Sequence, residues 1–253
     1  MRKFTALTLL LLFLFLPAYA QKRRTARSKA SAPAARASEI GKTAVVVDEK
    51  LSILRVGPSL FAEPVHRIQR GRTVRIQDVK EADGVRFYKV TVPPKYYGWV
   101  QADAVFFSSR TADETRLANL VVASTGFEKI EIARQFLELY PKAEVRPGIL
   151  LLYGDLIEEA ALKLSKDANS RLKRAELAAT GAPLHSYFLN FNMLDRYRKE
   201  GIIFLFDPKA KAFHYDGAAW SEIVQSFPKS TEAAEAKHRL ESLAAKMGTA
   251  GAN

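Results

Sequence analysis

The period of the hydrophobic pattern changes once along this chain, and that change constrains the fold more than any other feature. Across residues 44–107, apolar residues come in short runs cut by turn residues, whereas after Ser108 they recur at helical spacing. In the first stretch, residues 45–47 open the pattern, and residues 51–56 run into Gly57-Pro58-Ser59. Residues 65–68 then meet Arg70-Gly71, and residues 74–79 meet Asp83-Gly84. Residues 85–92 follow, then the breaker Pro93-Pro94, then Gly98-Trp99-Val100 and Ala104-Val105-Phe106. Five or six short strands with an Asp-Gly hairpin signal describe a small β-barrel. Within residues 85–92, Tyr88, Val90 and Val92 share one face, as in a half-buried strand.

The second stretch reads as a mainly helical domain over residues 108–248. Leu117, Leu120, Val121 and Ser124 space a first helix that Gly126 stops; Ile132, Phe136, Leu137 and Tyr140 space a second, halted by Pro141. A third is expected from Pro147 to about Ser165, a fourth over 168–179, and a fifth carrying Tyr187, Phe188, Phe191, Leu194 and Tyr197. Residues 202–206 and 212–215 flank a short turn and read either as a hairpin or as a buried helix, since short apolar runs do not decide the period. Two more helices are expected over 218–227 and 232–246, with a tail at 249–253. Aligning Pro141 with Pro228 pairs Phe136 with Ile223, Leu137 with Val224 and Tyr140 with Phe227, an internal repeat of 87 residues.

Leu51-Ser-Ile-Leu-Arg55-Val-Gly57-Pro58-Ser59, Arg70-Gly71, Val74-Arg-Ile76, Phe87-Tyr88-Lys89-Val90, Gly98-Trp99-Val100 and Ala104-Val105-Phe106 occur in the order found in bacterial SH3-like domains. Residues 44–107 therefore resemble that family of envelope and cell-wall modules, with an inserted Pro93-Pro94-Lys95-Tyr96-Tyr97 segment. The helical part resembles tetratricopeptide-like envelope proteins, most clearly from Trp220 to Leu240, as an irregular helix-pair domain rather than a solenoid. The resemblance implies a binding module whose ligands are wall peptides or partner proteins. Bottom-up, Tyr88, Tyr96, Tyr97 and Trp99 beside Arg55 supply flat apolar faces with polar tips, and Tyr187, Phe191 and Tyr197 are candidates to line a second groove on the helices.

The N-terminus places the chain in a compartment. Arg2 and Lys3 precede about thirteen apolar residues that end at Pro17, and Ala18-Tyr19-Ala20 offers small residues at a cleavage site, so residues 1–20 read as an export signal. At 1.5 Å per residue that run spans roughly 20 Å, short of the roughly 30 Å of a bilayer core. Cleavage is the expected fate, retention as an anchor the alternative, and the exported chain is periplasmic or secreted with no further membrane-spanning stretch. Residues 21–43 read as a disordered basic linker, with Lys22, Arg23, Arg24 and Arg27 available to an anionic surface. Of the formal +12, residues 1–40 hold eight basic and one acidic side chain, net +7, which leaves +5 on the rest. Export makes nucleic acid an unexpected partner.

Catalytic chemistry is poorly represented. The chain has no cysteine, which excludes thiolate metal sites and the cysteine peptidases that accompany wall-binding modules. His66, His185, His214 and His238 are scattered, with no His-Glu-x-x-His and no Gly-x-Ser-x-Gly. His238 with Glu235 and Glu241 reads as a surface ion-pair row, His214 with Asp216 as a structural pair, and Glu158-Glu159 as a solvated helix face. The expectation is a non-enzymatic envelope binding or scaffolding protein with no cofactor and no metal; the alternative is an accessory or catalytic subunit of wall turnover.

Overall fold

The computed structural model describes residues 39–171 and 192–248, with residues 179 and 181 between them. The export segment, the cluster Lys22, Arg23, Arg24 and Arg27, the C-terminal tail, Tyr187 and Phe191 all lie outside the described residues. Seven strands form one antiparallel sheet: β1 (Thr43–Val46), β2 (Ile53–Arg55), β3 (Pro64–Arg67), β4 (Thr73–Ala82), β5 (Val85–Val92), β6 (Tyr96–Gln101) and β7 (Val105–Phe106). Their order is β3-β2-β6-β5-β4-β1-β7, and the sheet curls into a half-barrel. Asp83 and Gly84 take positive φ angles of 54° and 74°, the handedness a tight β4–β5 hairpin requires. Residues 39–43 belong to this folded unit: Glu39 is buried against Arg110, and the Gly41 amide donates to the Ile76 carbonyl at 2.8 Å.

The inner face of the sheet closes on Leu54, Ile76, Val79, Tyr88, Val90 and Val100. β1 and β7 are apolar on both faces. Ala44, Val46 and Val105 point into that barrel core, whereas Val45, Val47 and Phe106 pack with Leu117, Val121, Ile132 and Phe136 of the first helices. Because successive strand residues face opposite ways, the runs Ala44-Val-Val-Val47 and Ala104-Val-Phe-Phe107 lack the alternation seen in β5 and instead feed two cores at once.

Six helices lie among the described residues: α1 (Thr111–Ala123), α2 (Gly126–Leu139), α3 (Arg146–Arg171), α4 (Asn192–Lys199), α5 (Ala218–Ser226) and α6 (Ala233–Gly248). A hairpin of β8 (Phe204–Asp207) and β9 (Ala212–Tyr215) stands between α4 and α5, which decides residues 202–215 in favour of strands. The break expected near Ser165 does not occur. Ser165 is buried inside α3, its hydroxyl bonded to the Ala161 carbonyl and accepting the Phe213 amide at 2.7 Å, so the third and fourth expected helices are continuous to Arg171.

The 87-residue repeat is written into the backbone. Tyr140 and Phe227 end α2 and α5 with matching amide bonds, to the Phe136 and Ile223 carbonyls at 2.9 and 2.8 Å. Ala143 and Ser230 then close the same turn onto Tyr140 and Phe227 before new helices begin. Gly154 lets α5 approach α3: a Cβ there would lie 2.8 Å from Cε2 of the buried Trp220.

Because Phe106 and Val47 belong to the core that covers the helices, sheet and helices are expected to unfold together. Trp99 reports on the sheet and Trp220 on the helices, and they are the only tryptophans. In each single-tryptophan variant (Trp220→Phe or Trp99→Phe), Phe106→Ala should lower stability by about 3–5 kcal/mol in fluorescence-detected denaturation. A loss seen by Trp220 alone would show that the halves unfold independently.

Candidate functional site

Several places on the molecule gather chemistry-bearing side chains, and an open groove on the outer face of the sheet is the first of them. The insertion after Pro93-Pro94 ends in β6, whose residues alternate: Tyr96 leans toward the barrel core, while Tyr97 and Trp99 point outward. Gly98 between them brings β6 against β2, since a Cβ there would meet the Arg55 carbonyl at 2.6 Å and Leu54 Cγ at 2.9 Å. The resulting groove has a volume of 550 Å³. Val56, Val65, Tyr97 and Trp99 give it apolar walls, and Lys89 and Lys95 add ammonium groups.

Its members differ in exposure. Tyr97 is 72% exposed and Trp99 7%, with the Lys80 ammonium 5.4 Å from the indole centroid. Tyr96 is half-buried, stacked on His66 at 4.6 Å between ring centroids. Arg55 does not line the groove. Its guanidinium turns into the loop after β2, donating to the Ala62 carbonyl at 2.7 Å, while Asp83 accepts the Ser59 hydroxyl and the Leu60 amide on the same loop. Tyr88 faces the other way: it is 1% exposed in the barrel core, where burial pushes its phenol above the ordinary value. Tyr197, expected in a second groove, is 4% exposed and packed edge-on against Phe127 and Phe204, yet it does line a groove of 380 Å³ on the helices, with Phe127, Ile130, Leu156 and Arg196. Of the expected binding residues the structure thus brings Tyr96, Tyr97 and Trp99 together, places Arg55 and Tyr88 in supporting roles, and sets Tyr197 in a separate groove on the helices. Val56 and Val65 were not expected; the signal was an apolar residue at the lip of Gly57-Pro58 and another next to Pro64.

The second place is a polar cleft of 620 Å³ between sheet and helices, lined by Glu49, Arg67, Arg70, Glu131, Lys199 and Glu200 among others. Its central cation is already held. Arg70 donates to Glu131 at 2.5 Å, to Glu128 at 3.3 Å and to the Val47 carbonyl at 2.8 Å, with a side chain only 9% exposed. Burial pushes the Glu131 carboxyl above its ordinary range, against the pull of Arg70 and with the repulsion of Glu200 and Glu49. The arrangement is a clamp fixing α2 to the sheet rather than a set of groups left free for substrate.

The third is the seat of the β8–β9 hairpin on α3. Glu158, expected as a solvated carboxylate, is instead half-buried: it accepts from the Tyr215 amide at 2.8 Å, lies 2.8 Å from His214 Nδ1 and takes Lys246 at 3.2 Å. His214 pairs with Glu158 rather than with Asp216, because β9 turns its ring onto the helix. Glu158, Ser165 and Asn169, one face of α3, each bind the hairpin. Glu159 is solvated as expected. His238 is exposed, with Glu235 paired to Arg239 and Glu241 to Lys237. Among the described residues, no group of three or more His, Cys, Asp or Glu side chains is placed to hold a metal ion, and no helix is long and apolar enough to cross a membrane.

Trp99→Ala should cost on the order of 3 kcal/mol, whereas Tyr97→Ala should change stability by less than about 0.5 kcal/mol, both measured by chemical denaturation. Burial opposes the charge of Glu158, but its bonds from His214, the Tyr215 amide and Lys246 outweigh that and hold the carboxyl below its ordinary value. Its contribution is therefore complete above the ordinary glutamate range and is lost as pH falls through the depressed folded value. Glu158→Gln should cost about 1–3 kcal/mol at neutral pH and flatten the acid limb of the melting-temperature profile; an unchanged acid limb would assign it to other carboxylates. No family model, curated protein or solved structure matches this chain, so its function is read from its own geometry.

Proposed function

We propose that this is an exported, non-enzymatic binding or scaffolding protein of the bacterial cell envelope. In this reading the curled sheet is an SH3-like module that engages a cell-wall peptide or a protein partner, and the helical part carries further protein contacts. The observation that carries it is the outward groove: exposed Tyr97, with Val56 and Val65, stands on a sheet whose other face packs a core around Ile76, Tyr88, Val90 and Val100. Exposed aromatic and apolar side chains on a rigid β scaffold are the material of peptide docking. The order of sequence landmarks across residues 44–107 supports an SH3-like module, and the N-terminal segment supports export. The basic stretch containing Lys22, Arg23, Arg24 and Arg27 would rest on anionic surfaces.

The full chain should be retained by purified wall sacculi or by solubilised envelope protein, and Tyr97→Ala should lower that retention roughly tenfold at an unchanged melting temperature. Retention indifferent to Tyr97→Ala, or release of fragments from purified peptidoglycan by the chain acting alone, would overturn the reading, the latter in favour of an enzyme of wall turnover.

A further inference from the structure

We infer that the groove takes an acidic extended segment of a partner protein, with an apolar side chain seated on Val56, Val65 and Tyr97 and carboxylates meeting Lys89 and Lys95. This rests on the docking role proposed for the sheet face and adds the charge and kind of its ligand.

The distribution of charge carries it. The groove lining contains two ammonium groups and no carboxylate. Several cations of the molecule are held by carboxylates, among them Arg70 by Glu131, Arg110 by Glu39 and Asp113, Arg134 by Glu200, and Arg146 by Glu222. Lys89 and Lys95 have no such partner among the described residues. Asp78 stands across from Lys89 in the β4–β5 register, yet its carboxylate accepts the Val79 amide at 2.8 Å instead of pairing with the lysine. Lys95 lies 5.6 Å from the Tyr96 ring centroid, so the cation sits over an aromatic face at the groove rim.

Charge complementarity then separates the ligand classes. A neutral apolar peptide would cover Val56, Val65 and Tyr97 but desolvate two ammonium groups without compensation. An uncharged glycan would stack on Tyr97 and leave the same cations unanswered, and a simple polyanion would leave the apolar walls wet. A segment with an apolar residue between acidic ones answers both demands. The sheet edge supplies an extended geometry: β3 is the terminal strand, all four of its residues are exposed, and no described strand pairs with its outer side.

The test pans the immobilised full chain against a display library of short random peptides, with wall sacculi as a parallel probe. Enriched peptides should carry Asp or Glu around an apolar residue and bind less tightly as salt rises. Lys89→Gln/Lys95→Gln should weaken them about fivefold to tenfold without moving the melting temperature. Neutral or basic enriched peptides, no enrichment, or binding that needs Tyr97 but ignores the two lysines would overturn the acidic ligand while leaving the groove in place. Sacculi retention that needs Tyr97 and ignores the lysines would do the same and assign the groove to the wall. Binding that ignores Tyr97→Ala as well would overturn the docking role itself.

Discussion

The two-sided burial of β1 and β7 is the constraint from which the rest of the architecture follows. A strand with one apolar face can end a sheet against solvent; a strand with two must be covered twice. Val46 and Val105 close the barrel core, and Val45, Val47 and Phe106 leave an apolar surface on the opposite side that only another layer can cover. α1 and α2 are that layer. The connection from β7 to α1 is short and strongly fixed: Asp113 accepts the Phe107 amide at 2.9 Å, Arg110 bridges Asp113 to Glu39, and Arg116 lies over the Phe106 ring with its centroid 3.8 Å away. Tyr140 adds a hydroxyl to the Phe107 carbonyl from the far end of α2. These bonds satisfy backbone groups at a buried strand-to-helix turn, where leaving them unpaired would cost about 1–3 kcal/mol each.

With one side of the sheet anchored in this way, the outer faces of β5 and β6 and the β2–β3 loop remain available for recognition, and they are held in place rather than loose. The loop is tied from both ends, by Arg55 to Ala62 and by Asp83 to Ser59 and Leu60. The close approach of β6 to β2 at Gly98 sets Tyr97 and Trp99 beside Val56 and Val65. Trp99 serves as the packed floor and Tyr97 as the exposed contact, a division that follows from one residue being nearly covered and the other standing free. Preorganisation of this kind reduces the ordering cost of binding, because the groove does not have to be assembled by the ligand.

What was legible in the sequence is what depends on neighbours along the chain. The alternation of β5, the Asp83-Gly84 turn, the Pro141 and Pro228 helix ends and the outward Tyr97 all reflect local period or local turn chemistry. What was not legible depends on residues far apart. Glu158 looked solvated because its neighbours Leu156 and Glu159 give no hint of His214 and Tyr215, more than fifty residues onward. Ser165 was expected near a helix end, yet it lies inside α3, where the Phe213 amide gives its hydroxyl a buried acceptor role. Tyr88 could be read as a binding aromatic only while its core was unknown. The double-sided strands did leave a signal: an unbroken apolar run flanked by alternating ones marks burial on both faces.

The separation of arginine from lysine on this molecule has a physical basis as well as a positional one. Arginine presents a planar fork that satisfies carboxylates and carbonyls together, so it suits the joints: Arg70 between sheet and α2, Arg110 between Glu39 and Asp113, and Arg146 between the Leu137 carbonyl and Glu222. Lysine is a point charge on a flexible stem and is easily kept solvated, so Lys89 and Lys95 can stand beside an apolar groove without a fixed partner at little cost to folding. A cation that contributes nothing to internal pairing is free to contribute to association. The modest positive excess of the folded part therefore tells less about partners than the position of these two lysines does, since they stand beside apolar side chains in a groove whose lining holds no carboxylate.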